Sequence, residues 1–122
     1  MFINCSNHKS SYWSKEQLDA ASVYGKIVDI SFPAVGSDLS EEEIAEMAGG
    51  LFRQIQVLSP SCVMCQGEYT LTHRLVNMLI DAGIKTVAAC SGRCVTEEKN
   101  NDGSTKKTVM YEFAGFREYQ RQ

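Results

Sequence analysis

The residues of this chain best suited to chemistry are His8 beside Lys9, Glu68, and Arg93. An imidazole titrates near neutral pH and can take or return a proton, and a glutamate can do the same where its surroundings tune it. Lys9 and Arg93 can hold an anion, the arginine with two parallel hydrogen bonds. These groups lie in three short polar segments, Ser6-Asn7-His8-Lys9, Gln66-Gly67-Glu68-Tyr69-Thr70 and Ser91-Gly92-Arg93. Polar residues and glycine are also what ordinary loops contain, so the segments gain meaning from where the fold puts them.

The cysteines offer a second chemistry. Cys62-x-x-Cys65 has the spacing of a redox dithiol, but working pairs of that kind sit at a helix N-terminus. Here the surrounding apolar run reads as a strand, in which residues three apart point to opposite faces. Cys5, Cys65 and Cys90 fall at strand ends with Cys94 near, yet no paired C-x-x-C knuckles support a zinc site. Small buried apolar groups explain them more simply, and no metal or other cofactor is expected. His73 shares a helix face with Thr70, Asn77 and Asp81, opposite the leucine stripe, on a solvated or partner-facing surface. Tyr111, Phe113, Phe116 and Tyr119 around Arg117 are suited to covering a sheet edge or a dimer face. Neither G-x-G-x-x-G nor G-x-x-x-x-G-K-[ST] occurs, and G-x-S-x-G is absent too, so the common dinucleotide, P-loop and hydrolase readings lose their main support.

The elements that must position these residues follow from periodicity. Phe2-Ile3-Asn4-Cys5 is too short for a helix and suits a buried strand. Ser14 and Gln17 form a capping box, with Trp13 packed on Leu18, and the helix they start ends at Gly25. Ile27 to Ile30 is a second strand. Ser40 and Glu43 repeat the capping box for a helix whose inner face is Ile44, Met47, Ala48, Leu51, Phe52, Ile55 and Leu58, closed by Pro60. Gly49-Gly50 weakens that helix and implies close packing there. Cys62 to Cys65 is the third strand. A third helix follows, carrying Leu71, Leu75, Val76, Met78 and Leu79 inward, and stops at Gly83. Ile84 to Cys90 is the fourth strand, after which Ser91-Gly92-Arg93 is a loop. The turn Asn101-Asp102-Gly103 and the alternating Val109, Tyr111, Phe113 then predict an antiparallel hairpin.

Strand and helix alternating three times before a fourth strand predict an α/β fold: a small Rossmann-like, mostly parallel sheet flanked by helices, with a C-terminal antiparallel hairpin. Ligands of such sheets bind beyond the carboxyl ends of the strands, near the point where strand order reverses. The three polar segments all emerge there. Ser6, Asn7, Lys9, Gln66, Gly67, Thr70, Ser91, Gly92 and Arg93 thus become the expected ligand contacts, and a phosphate or another anion is the chemistry they suit.

The whole chain supports this reading. Its 122 residues, 43% apolar and 22% charged, suit a single domain over residues 1–122 with its own core. A net charge of −3 argues against binding long nucleic acid, which is driven by clustered cations. No apolar run reaches the length of about 20 residues that a membrane span needs. Five cysteines without a basic, apolar leader fit a reducing compartment, so a cytoplasmic location is expected.

The opening Phe2-Ile3-Asn4-Cys5-Ser6-Asn7-His8, with Glu16-Gln17 on the first helix, resembles the start of small CRISPR-associated accessory proteins of type III systems. Those proteins have a Rossmann-like fold and bind or cleave cyclic oligoadenylate second messengers, as ring nucleases do. The resemblance implies an antiviral-defence role, a cyclic oligonucleotide ligand, and a homodimer whose strand-end loops meet across a two-fold axis. It also implies roles: His8 or Glu68 as the base for the ribose 2′-hydroxyl, and Lys9 or Arg93 against the phosphate charge. Another small nucleotide-processing enzyme using Glu68, and a non-catalytic protein-interaction module using the C-terminal aromatic residues, are the competing classes.

Overall fold

The computed structural model describes residues 1–121 of the chain. Strands β1 (Phe2–Ser6), β2 (Ile27–Ser31), β3 (Cys62–Cys65), β4 (Thr86–Lys99) and β5 (Thr105–Glu118) form one sheet in the order β2-β1-β3-β4-β5. Helices α1 (Lys15–Ser22), α2 (Glu41–Gln56) and α3 (Tyr69–Asp81) connect the first four strands. All neighbours are parallel except β4 and β5, which are antiparallel. This is the mostly parallel, helix-flanked α/β sheet with a C-terminal hairpin that the alternation predicts.

Alternation along each strand divides the core in two. Ile3, Cys5, Val63 and Cys65 face α2 and α3, where they meet Ile44, Ala48, Leu51, Ile55, Leu71, Leu75 and Leu79. Phe2, Cys62, Met64 and Val87 face the other way and meet Ala21 of α1, with Trp13, Tyr24 and Phe116 packed around them. Cys62 and Cys65 therefore lie on opposite faces, as their strand position requires. Both predicted caps form: the Ser14 hydroxyl accepts the Gln17 amide at 3.2 Å, and the Ser40 hydroxyl accepts the Glu43 amide at 3.2 Å. Glycines end α1 and α3 with positive φ, +106° at Gly25 and +76° at Gly83.

Four expectations need correction. The Gln17 side chain does not reach back to its cap but turns inward against the Met64 sulfur. Gly49 and Gly50 bring no other element close: a methyl group at Gly50 would meet nothing within 4 Å, and one at Gly49 only the Arg53 guanidinium of the same helix, at 3.4 Å. Leu58 lies past the end of α2 and is exposed. Most consequentially, Ser91-Gly92-Arg93 is not a loop. It belongs to β4, which runs unbroken from Thr86 to Lys99. The hairpin pairs Ser91 with Phe113 and continues to Lys99 opposite Thr105, well beyond the end of β3.

One irregularity interrupts that hairpin. Cys90 pairs with Gly115 and Ser91 with Phe113, so β5 carries Ala114 as an extra residue, and Gly115 takes φ +141°. The bulge has a structural consequence. Residues three apart on a regular strand face opposite ways, yet Phe113 and Phe116 meet edge to face at 5.0 Å between ring centres. Phe116 in turn stacks on Phe2 at 5.2 Å. The extra residue thus continues the aromatic packing of the α1 face out along the ribbon. No helix among the described residues is long and apolar enough to cross a membrane.

Candidate functional site

The strand order reverses between β1 and β3: the chain leaves β1 for β2 on one side and returns to β3 on the other. At the carboxyl ends of those two strands lies an open cleft of about 600 Å³. Its floor is Met64 and Ala89, and its polar rim comes from Ser6, Asn7 and His8 after β1, from Gln66 and Gly67 after β3, and from Ser91 on β4. The remaining walls are Tyr12, Trp13, Ser14 and Gln17 before and within α1, with Tyr111 and Phe113 of β5.

Buried polar chemistry holds the His8 segment in place. Asn4 is only 1% exposed in the middle of β1, facing the α1 side with Phe2 and Ser6. Its amide nitrogen donates to the His8 carbonyl at 2.8 Å and to the Asp29 carboxylate at 2.9 Å. Its amide oxygen accepts the Ser6 hydroxyl at 2.7 Å, and the Ser6 oxygen accepts the His8 amide at 3.3 Å. Asp29, on β2, also accepts the Ser10 hydroxyl at 3.0 Å. The loop from Ser6 to Ser10 is therefore tied at one end to buried Asn4 and at the other to the exposed Asp29 carboxylate, which holds His8 beside the cleft.

The second wall is built just as locally. The Gln66 amide donates to the Cys5 carbonyl at 3.2 Å, and its side-chain oxygen accepts the Ala89 amide at 2.7 Å. That bond continues the β3–β4 pairing by one step where β3 itself has ended. Gly67 is required by its neighbour: a Cβ there would sit 2.4 Å from the Phe32 ring.

Of the residues expected from the sequence, the structure brings Ser6, Asn7, His8, Gln66, Gly67 and Ser91 together on one cleft. The others lie elsewhere. Glu68 caps α3: its carboxylate accepts the Thr70 hydroxyl at 2.6 Å and the Thr70 and Leu71 amides, each at 2.9 Å. The Thr70 hydroxyl and those amides hold the Glu68 carboxyl below its ordinary range. A carboxylate so engaged is a poor base, and neither it nor Thr70 lines the cleft. Lys9 borders a separate 170 Å³ hollow beside Asp29 and Phe32. Gly92, paired with Glu112, falls on the opposite face of the ribbon from Ser91. Arg93 pairs with Tyr111 and shares the face of Ser91 and Phe113, one step further from the cleft. No lysine or arginine is among the described residues that line the cleft.

Three of the five cysteines, Cys5, Cys62 and Cys65, are core residues. Cys5 and Cys65 are cross-strand neighbours, both fully buried. A hydrogen bond between the thiols, and then burial, push the Cys65 thiol up. Burial pushes the Cys62 thiol up to about 11. Such thiols are unreactive. Sequence reasoning missed Asn4 and Asp29, which read as strand residues, and the aromatic wall of Tyr12, Tyr111 and Phe113. The available signal was a buried-strand Asn two residues before a Ser, a polar pair on one face of an otherwise apolar run.

Comparison with known proteins adds one assignment. No curated protein and no solved structure matched the chain. A family model described as the Uncharacterized protein MJ1673 family matches residues 1–117. That span takes in the cleft, the Asn4 network and nearly all of β5, and the chain belongs to this family.

Proposed function

We propose that the cleft binds a cyclic oligoadenylate in type III CRISPR defence, and that the chain works as a homodimer that sequesters the messenger or opens its ring. The observation that carries this reading is the composition of the cleft at the reversal of strand order. Aromatic rings (Tyr12, Trp13, Tyr111 and Phe113) stand against side-chain amides and hydroxyls, with His8 among them. Rings of this kind stack bases, and amides and hydroxyls read base edges and ribose. The likeness of Phe2 to His8 to the opening of the CRISPR accessory proteins supports it independently.

Ring opening needs few parts. His8 takes the proton of a ribose 2′-hydroxyl, the 2′-oxygen bonds to the adjacent phosphorus, and the bond from phosphorus to the 5′-oxygen breaks. The proton passes on to that leaving oxygen, so the products are a 2′,3′-cyclic phosphate and a 5′-hydroxyl. Holding the 2′-oxygen in line with the leaving oxygen supplies much of the rate.

Thermal denaturation against cyclic tri-, tetra- and hexa-adenylate, with linear and mononucleotide controls, tests the reading. Ligand at a hundred times its dissociation constant adds about 2.7 kcal/mol, a shift of several degrees. Chromatography of the same samples separates cleavage from sequestration. His8→Ala is expected to slow cleavage about a hundredfold with binding kept. No shift with any ring, in folded protein, refutes the proposal.

A further inference from the structure

Beyond Ser91 the hairpin is a two-stranded ribbon with nothing packed on it. Every residue from Ser91 to Glu112 is exposed, including Val95, Val109, Met110 at 55% and Tyr111 at 71%. A lone two-stranded ribbon is marginal in water and gains stability from a third strand. β5 is also the last strand of the sheet, so its outer edge presents unpaired backbone groups along its length. That edge carries no proline. Its lysines are already answered within the ribbon, Lys106 opposite Glu98 and Lys107 in an ion pair with Glu97 at 3.6 Å. They guard the edge weakly.

Two copies of one strand can pair antiparallel about an axis normal to the sheet only in registers where opposed residues share a face. The charges choose among these registers. Centring on Lys106 or Lys107 sets lysine against lysine, and centring on Glu112 sets glutamate against glutamate. Centring on Val109 sets Lys106 against the partner's Glu112, twice by symmetry, and Val109 against itself. The same register sets the partner's Lys107 against Tyr111, a wall of the cleft.

We propose that the chain pairs with a second copy of itself through the outer edge of β5, antiparallel about Val109. The sheets join into one, and the ribbons become four strands wide. Because the axis is normal to the sheet, both clefts open on the same face, and each receives a lysine from the other chain where its own lining has none. This last consequence rests on the proposed anionic ligand; the pairing does not.

Charge exchange tests it. Lys106→Glu alone sets glutamate against glutamate across the axis, and Glu112→Lys alone sets lysine against lysine. Mixed one to one, the two variants restore both opposite-charge pairs. Sedimentation velocity is expected to show wild-type dimers, self-association weakened about tenfold or more in each variant, and dimers again in the mixture. Each chain keeps its own Glu98, so recovery on mixing reports only the contact between chains, and circular dichroism establishes that each variant is folded. A monomeric wild type, a variant that dimerises as tightly as wild type, or a mixture that stays monomeric overturns the pairing. Lys107→Gln, titrated with the cyclic adenylates, is expected to bind about tenfold more weakly. Unchanged affinity in a chain that passes the charge exchange removes the lysine from the cleft and leaves the pairing intact.

Discussion

Replacing Asn4 by alanine is the sharpest test of how the cleft is held. The side chain is buried and makes three hydrogen bonds, to the His8 carbonyl, the Asp29 carboxylate and the Ser6 hydroxyl. A bond within a protein contributes about 1 kcal/mol net, and the loss is larger where a partner is left buried and unpaired. Asp29 is exposed, so water replaces much of what it loses, and the bond to its charge counts no more than the others. Asn4→Ala should therefore cost about 3 kcal/mol, which for a domain of this size lowers Tm by about 10 °C. Asp29→Ala, on the exposed side of the same network, should cost about 1 kcal/mol. Urea denaturation followed by circular dichroism gives both values, and the double variant gives the coupling. A cost below about 1 kcal/mol for Asn4→Ala would refute the argument, because it would mean that the loop from Ser6 to Ser10 is held by something else.

Further outcomes follow from the geometry. Gly67→Ala drives a methyl into the Phe32 ring and should destabilise by about 1–3 kcal/mol, read by the same denaturation curves. Glu68→Ala removes the cap of α3 and should lower stability on the same curves while leaving any ligand affinity of the cleft unchanged. Because the Glu68 carboxyl titrates below its ordinary value of 4.5 in the folded chain, the cap stabilises above that pH. Its contribution is lost as pH falls through the folded value, and Glu68→Gln should flatten that part of the acid limb. Among the five thiols, Cys94 is exposed and should react promptly with a thiol reagent, Cys90 more slowly, and the buried three only on unfolding. Cys62, raised from 9.0 to about 11, makes stability fall as pH rises through that window, and Cys62→Val should remove that component.

Much of this architecture was legible because local rules and tertiary packing agree. Ser14, Ser40, Gly25 and Gly83 cap or end their helices for backbone reasons that act over four or five residues. The apolar runs of β1 and β3 are too short to be anything but buried strands. Half of the site was equally legible, because Ser6, Asn7, His8, Gln66 and Gly67 follow strands whose order can be reasoned from topology. The errors have one origin. Ser91-Gly92-Arg93 has loop composition, and only its partner strand, through the bulge at Ala114, makes it a strand. Glu68 reads as a base because nothing local distinguishes a catalytic carboxylate from a cap. Tyr12, Tyr111 and Phe113 reach the cleft through contacts distant in the chain, which no window along it reveals.

The strand that leaves its neighbours behind has a kinetic consequence. β4 pairs with β3 only at Thr86 and Val87, inside the core, gains one more bond from the Gln66 side chain at Ala89, and thereafter has β5 alone. One continuous strand thus spans two regimes of opening free energy. Amides of β1, β3 and the first residues of β4 should exchange with solvent deuterium only through global unfolding. Those beyond Ser91 should exchange through local fraying that starts at the Asn101-Asp102-Gly103 turn and stops at the bulge. Gly115 and its extra neighbour then mark a boundary between cooperative units: the ribbon can open and close many times during the lifetime of a fold that never lets go of its centre.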